Sequence, residues 1–157
     1  MYYRESGKLQ LPPDTSVQDY RKAELERLAD ADPPAGIIGY VDGTPAGWVA
    51  FGPRSEYTKL RRSPIAKPVD DQPVWSIVCF VVPSAFRHQG VARGLLAGAI
   101  DFARERGVGI LEAYPIDREQ KSDDTFLWNG PMSMFAKAGF VEVARRRPDR
   151  PVVRLQL

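Results

Sequence analysis

A chain of 157 residues suits one domain with a sizeable core, and 43% hydrophobic with 27% charged residues is ordinary globular composition. The net charge of +2 is too small to argue for nucleic acid by itself, and no apolar run approaches the ~20 residues that span a bilayer. The opening MYYRESGKLQ lacks the apolar core of a signal peptide, and the one cysteine, Cys79, cannot form a disulfide within the chain, so a reducing, cytoplasmic setting is expected.

Val17–Ala31 reads as a helix with Ser16 as its N-cap, ended by Pro33-Pro34. Gly36–Val41 and Ala46–Phe51 read as strands of a hairpin around Asp42-Gly43. Residues 53–73 form a polar, proline-containing connection, long for a compact domain. Trp75–Val82 is nearly continuously apolar, as expected of a strand buried on both faces. Val91–Arg106 carries a helical apolar stripe, with Gly107 placed as its C-cap. Gly109–Tyr114 is another strand, residues 115–127 are polar and loop-like, and Pro131–Ala138 is a short helix ending at Gly139. Phe140–Arg147 and Val152–Leu157 form an antiparallel pair turned by Pro148-Asp149. The pattern is a mixed α/β fold in a single domain, residues 1–157, with a central strand–helix–strand crossover.

Between the apolar strand and the long helix stands Arg87-His88-Gln89-Gly90-Val91-Ala92. A strand, a Gly-containing turn and a helix N-terminus make an anion cradle: the first helical N–H groups lack partners and the dipole adds positive potential. The turn is not a P-loop, for it has no Gly-Lys-Ser/Thr ending, and it lacks the G-x-G-x-x-G of dinucleotide folds. A plain strand-to-helix turn with surface basic residues stays open at this point.

Arg87-x-x-Gly90-x-Ala92 resembles the R/Q-x-x-G-x-G/A signature of the GNAT acetyltransferase superfamily. Cys79–Val82 falls where that family has its central strand, and Phe135-Ala136-Lys137-Ala138-Gly139-Phe140 resembles its Y-x-x-x-G-F segment. KPVDDQPVWSIVCFVV, EAYPID and ARRRPDRPVVR further resemble a bacterial branch of the superfamily, whose members often begin with an extra strand. Here only Tyr2-Tyr3-Arg4 is similar to that strand's tail, so a short or truncated first strand is expected.

The resemblance implies a mixed central sheet with two splayed strands, flanked by helices, and acetyl-CoA as the acyl donor. Its pyrophosphate would sit on the N–H groups of residues 88–93: His88, Gln89, Gly90, Val91, Ala92 and Arg93. Gly90 and Ala92 would allow close approach, with Arg87 and Arg93 adding charge. The pantetheine arm would pair with the strand edge at Phe80, Val81 and Val82, and the Val82 N–H would donate to the thioester carbonyl. The implied chemistry is direct transfer to a primary amine of a small molecule or peptide in a ternary complex.

Glu112, mid-strand among apolar residues, is the first candidate base, with a solvent-facing carboxylate as the other reading and Asp117 as the next candidate. The family's tyrosine acid is replaced by Phe135, so Tyr114 and Ser133 are the candidate substitutes, with a structural or substrate-contacting role as the other reading of each, or no acid is needed. A Cys79–His88 dyad is set aside because His88 belongs to the phosphate turn, and Cys79 reads as a core residue; one His and one Cys suggest no metal site. Acceptor candidates are Trp48, Arg54, Tyr57 and Trp128, within residues 48–62 and 123–134, with a core role for Trp48 as the alternative. Arg145–Arg147 reads as a solvated strand end, so neither nucleic acid nor a membrane is expected as partner, while Val152–Leu157 could serve a homodimer. Phe135 also leaves open a catalytically weak acyl-CoA-binding module.

Overall fold

The computed structural model describes residues 3–4, 11–117 and 128–157. The elements are α1 (Val17–Ala29), β1 (Gly36–Val41), β2 (Thr44–Pro53), α2 (Thr58–Arg62), β3 (Trp75–Val81), α3 (Val91–Glu105), β4 (Ile110–Ala113), α4 (Met132–Lys137), β5 (Val141–Arg147) and β6 (Arg150–Gln156). The strands form one six-stranded sheet in the order β1-β2-β3-β4-β6-β5. Only β3 and β4 run parallel, joined by the α3 crossover. This is the expected mixed α and β architecture.

Local causes set most boundaries. Ser16 Oγ accepts the Asp19 N–H at 3.0 Å and starts α1. Asp42 and Gly43, with φ of 48° and 76°, make the tight turn of the β1–β2 hairpin. Gly107 (φ 68°) closes α3 through its N–H to the Arg104 carbonyl at 3.0 Å. Residues 53–73 depart from the expectation of a plain polar connection. They hold a short 3-10 turn over Arg54–Glu56 and the helix α2, because Tyr57, Leu60 and Ala66 bury themselves against the sheet. Tyr3 and Arg4, expected as the tail of a strand, instead lie against the start of α2. The Tyr3 carbonyl accepts the Lys59 N–H at 3.2 Å and the Arg4 carbonyl accepts the Thr58 hydroxyl at 2.9 Å. The terminal strand begins earlier than expected, at Arg150, since Arg147 and Arg150 pair across the Pro148-Asp149 turn. β6 lies between β4 and β5 and is paired on both sides at Val153 and Arg154, so that part of Val152–Leu157 has no free edge to offer a dimer; β5 is the outer strand.

The two faces of the sheet carry separate cores. Val49, Phe51, Ile77 and Phe80 meet Leu95, Leu96, Ala99, Ile100 and Ala103 of α3, the residues of its apolar stripe. On the opposite face Tyr57, Leu60 and Ala66 meet Val78, Tyr114 and Val152.

β3 and β4 pair over only three residues each, Trp75–Ile77 with Leu111–Ala113. Beyond that point Val78 is skipped by β2, which pairs Phe51 with Ile77 and Ala50 with Cys79. Such a bulge bends a strand and increases its twist. The Val78 carbonyl takes a hydrogen bond from Asn129 Nδ2 at 3.3 Å. After Ala113 the chain turns aside to Ile116, whose N–H bonds the Gly130 carbonyl and whose carbonyl accepts the Met132 N–H, both at 2.9 Å. The two parallel strands therefore part, and the end of β3 faces residues 128–131 across an opening.

Candidate active site

The turn after β3 is shaped by backbone conformation. The Phe86 and Arg87 N–H groups close a 3-10 turn onto the Pro83 and Ser84 carbonyls, at 2.9 and 3.2 Å. His88 (φ 61°) and Gly90 (φ 83°) are both left-handed, and Gly90 is the N-cap of α3. For His88 this is an uncommon conformation; for Gly90 it is the reason a glycine stands there. The first helical donor on Gly90 is Gly94, at 3.0 Å, so the N–H groups of Val91, Ala92 and Arg93 precede the helical ladder. Left-handed residues next to a helix start turn successive N–H groups toward one point, which is how backbone binds anions. The Arg93 guanidinium lies over this turn, 3.3 Å from where a Cβ on Gly90 would be.

A cleft of about 600 Å³ joins this turn to the end of β3. Phe80, Val81, Val82, Arg87, His88, Gly90, Val91, Ala92 and Arg93 all line it. Gln89 does not: its side chain turns back to bond the Ala85 carbonyl at 2.8 Å. Arg87 Nε donates to the Val82 carbonyl at 3.2 Å and so ties the strand end to the turn. The far wall is Trp128, Gly130 and Pro131. Trp128, 56% exposed, thus stands across from the anion turn rather than with the other acceptor candidates. Phe135 is fully buried, edge-on to Phe80 (6.1 Å) and Phe140 (5.2 Å), and serves the α3-side core. Ser133 is exposed on α4.

Glu112 lies on the opposite face and is 0% exposed, which overturns the solvent-facing reading. Arg54 Nη1 donates to its Oε1 at 2.6 Å and Arg154 Nε to its Oε2 at 2.8 Å. The Tyr114 hydroxyl also donates to Oε1, at 2.6 Å. Having spent its proton there, Tyr114 accepts from Ser76 Oγ at 2.8 Å and from Arg54. Arg154 extends the chain of charges to Asp70 through two bonds of 2.6 and 2.9 Å, and Arg54 Nη2 reaches the Ala66 carbonyl at 2.6 Å. The Arg154 guanidinium beside Asp70 holds its carboxyl down at about 2. Burial, then the charge of Glu112, pushes the Tyr114 phenol well above its ordinary range.

Neither Glu112 nor Tyr114 lines the cleft, so both stand as buried partners in an ion network and not as groups open to a reacting atom. Arg54 is committed to the same network. Tyr57 is a core residue, its phenol pushed up to about 12 by burial, with Arg4 donating to its hydroxyl at 3.3 Å. Trp48 is half-buried on β2. Asp117 is held by Arg145 at 2.7 Å. Burial pushes the Cys79 thiol up, while His88 stands exposed on the turn. Among the described residues no group of His, Cys, Asp or Glu is placed to hold a metal, and no helix is long and apolar enough to cross a membrane. Of the acceptor segment 123–134, residues 123–127 lie outside the described residues.

Ser76, Asp70, Arg154 and Asn129 were not picked out by reading the sequence. Arg154 did carry a signal: like Glu112, it is a lone charge in an apolar strand, and two opposite lone charges in neighbouring buried strands call for each other.

A model of the acetyltransferase (GNAT) family matches residues 6–129. No curated protein matches. Among solved structures, the ribosomal-protein-alanine N-acetyltransferase of Brucella melitensis superposes with a TM-score of 0.59 at 19% identity, over 92% of this chain and 82% of that one. A GNAT-family acetyltransferase of Listeria monocytogenes gives 0.57 at 14% identity, over 88% and 71%. The PaiA N-acetyltransferase of Thermoplasma acidophilum, solved with coenzyme A, gives 0.53 at 13% identity, over 89% and 74%. At these identities the superpositions speak for the fold, and the family match spans most of the sequence: the chain belongs to the acetyltransferase (GNAT) family.

Proposed function

We propose that the protein is an acetyl-CoA-dependent N-acetyltransferase that passes the acetyl group directly to a primary amine of a small molecule or peptide. The observation that carries this reading is one cleft joining a left-handed anion turn at a helix start to the end of a strand whose parallel neighbour has turned away. A diphosphate fits the turn, since Gly90 has no Cβ and Arg93 leans over it. An amide-bearing arm fits the strand end, where Asn129 already takes one backbone carbonyl.

When bound, acetyl-CoA supplies an activated acyl group on a thiol leaving group. The backbone N–H groups of residues 88–93 hold the phosphates, with Arg87 and Arg93 adding charge. Phe80, Val81 and Val82 align the arm, and the Val82 N–H stabilises negative charge that develops on the carbonyl oxygen during attack. Arg87 fixes Val82 through its carbonyl. Glu112 and Tyr114 act as positioning residues, bracing the point where β3 and β4 part. An acceptor that enters as the free amine gives up its proton to water, with Glu112 and Tyr114 taking no part in that transfer because neither lines the cleft. The rate then rises with pH through each acceptor's own pKa, near 10.4 for a lysine-like amine. One enzyme pKa shared by acceptors of different basicity would instead demand a protein base.

Phe135 favours a second reading, a catalytically weak acyl-CoA-binding module, because the buried ring offers no proton to the leaving thiolate. Acetyl-CoA is expected to raise the melting temperature under either reading, and failure at saturating ligand rejects both. Thiol release across a panel of primary amines separates them: turnover establishes the enzyme, and binding with no turnover establishes the module.

A further inference from the structure

The ladder between β3 and β4 ends where the cleft begins, and the sequence supplies the cause. After the last pair, Ile77 with Ala113, β4 runs into Tyr114-Pro115-Ile116. Pro115 has no N–H to give a neighbouring strand, and the Ile116 N–H is spent on the Gly130 carbonyl at 2.9 Å. β3 meanwhile carries its bulge: Val78 and Cys79 both pack on the α2 side, between Ile77 and Phe80 on the α3 side. The Val78 carbonyl stands past the end of the ladder, in a residue only 2% exposed, where an unmade hydrogen bond is costly.

Asn129 makes that bond, through Nδ2 at 3.3 Å. The same Nδ2 reaches the Tyr3 hydroxyl at 3.4 Å, and Oδ1 accepts from Arg150 Nη2 at 3.5 Å. Arg150 decides which way the amide faces. An arginine donates and never accepts, so the amide oxygen turns to it and the NH2 to Val78. Among the described residues the buried Nε of Arg150 has no acceptor at all, so this guanidinium has none to spare. The backbone around Asn129 is fixed as well, since Ile116 bonds both Gly130 and Met132 and the two neighbours Trp128 and Gly130 line the cleft. At the other end of the opening Arg87 Nε holds the Val82 carbonyl at 3.2 Å. Carbonyls two residues apart on a strand face the same edge. Between the two held ones stands Phe80, whose carbonyl meets the weak Cys79 thiol at 3.8 Å. The strand edge that faces the cleft is thus stopped at both ends by side-chain donors.

We propose that Asn129 is a positioning residue that sets the register of the acetyl donor along β3. This rests on the acetyl-transfer reading above. With the Val78 carbonyl occupied, the amide N–H groups of the donor's arm find the Phe80 carbonyl, and the thioester carbonyl meets the Val82 N–H. Without the Asn129 amide the arm gains the Val78 carbonyl as a second acceptor, two residues down the strand. A slip of two residues moves the thioester about 6–7 Å, out of reach of that N–H. Binding survives the slip, and polarisation of the thioester does not.

The test uses the full chain with acetyl-CoA isotopically labelled at the thioester carbonyl carbon. Asn129→Asp keeps an oxygen for Arg150 and gives Val78 no donor. Its melting temperature should hold, and its calorimetric Kd for acetyl-CoA should stay within about threefold of the parent's. The bound carbonyl resonance should return toward its position in free acetyl-CoA. Thiol release with the best amine of the panel should fall by about a hundredfold, as for a lost oxyanion donor. Asn129→Gln, which keeps both amide groups, should recover part of the turnover and of the resonance shift. Arg150→Met only frees the amide to turn over; it should show the same pattern more weakly, and it carries the test should Asn129→Asp fold poorly. A bound resonance that neither Asn129→Asp nor Arg150→Met moves overturns the inference, because the donor then keeps its place without the amide. A loss of affinity as large as the loss of turnover also overturns it, since Asn129 is then an ordinary binding contact. The resonance is read without an amine, so it decides the matter even where no amine of the panel is acetylated. Absence of acetyl-CoA binding to the parent chain removes the transfer reading beneath it.

Discussion

On the α3 side of the sheet the buried cluster is wholly apolar, running from Val49 and Phe51 through Leu96 to Phe135. On the α2 side the buried set includes Ser76, Glu112 and Arg154, joined to Arg54, Tyr114 and Asp70. The first face depends on volume and the second on complete pairing. An apolar core loses stability in proportion to what is removed. A buried ion network fails abruptly, because removing one member strands the charge of another. The donor cleft opens beside the first kind of core, while the braced point where β3 and β4 part belongs to the second.

Glu112→Ala is the strongest way to break the comparison. It leaves Arg54 and Arg154 facing each other with no carboxylate between them. The expected loss is about 3–5 kcal/mol in urea unfolding, or roughly 10 °C in melting temperature. Leu96→Met, which conserves volume on the other face, should cost under about 1.5 kcal/mol. Similar losses from both would erase the distinction between the faces.

Gly90→Val probes the donor side, where backbone conformation and not side-chain pairing sets the site. A non-glycine residue at φ 83° costs about 1–2 kcal/mol of stability. A branched side chain there also meets the Arg93 guanidinium, which lies 3.3 Å from the first added carbon. Acetyl-CoA affinity measured by calorimetry should fall by about tenfold or more, the equivalent of one or two lost phosphate contacts. Gly107→Ala, a left-handed glycine at the other end of α3, should show the stability loss with acetyl-CoA affinity intact.

How far each half could be read in the sequence follows from the range of its causes. The hairpin, α3 and the anion turn are legible because Asp42-Gly43, the 91–103 stripe and Arg87–Ala92 each act within a few residues. The helix α2 is not, since five residues with one buried leucine cannot show a period. Glu112 stands out as a charge in an apolar strand, but the two arginines that neutralise it lie 58 and 42 residues away, so the strand alone leaves its surroundings open. The pairing of Trp48 with Val81 depends on the bulge at Val78, which shifts the alternation of β3 against β2. No local pattern announces that shift.

Asp70 gives the smallest effect and the finest test of the pairing face. Its carboxyl titrates at about 2 in the folded chain against an ordinary 3.8, through its hydrogen bonds to Arg154. A folded value below the unfolded one means that this stabilisation is present above about pH 4 and lost as pH falls toward 2. Asp70 is more than a third exposed, so solvent and salt screen the pair and the share is modest. Melting temperature should therefore fall less steeply between pH 4 and 2 in Asp70→Asn than in the parent chain, and the two curves should lie parallel above pH 5. Because Asp70 sits on the segment that Arg146 also ties down through the carbonyls of Ile65, Lys67 and Pro68, acid should release that segment's outer hold while Arg146 keeps its own. The carbonyls do not titrate in this range, so the double variant Asp70→Asn, Arg146→Ala should lose more than Asp70→Asn at pH 7 and show no added slope in acid. An acid slope that survives Asp70→Asn unchanged would move the titrating group elsewhere on the α2 face, and Arg154 would then draw its stability from Glu112 alone.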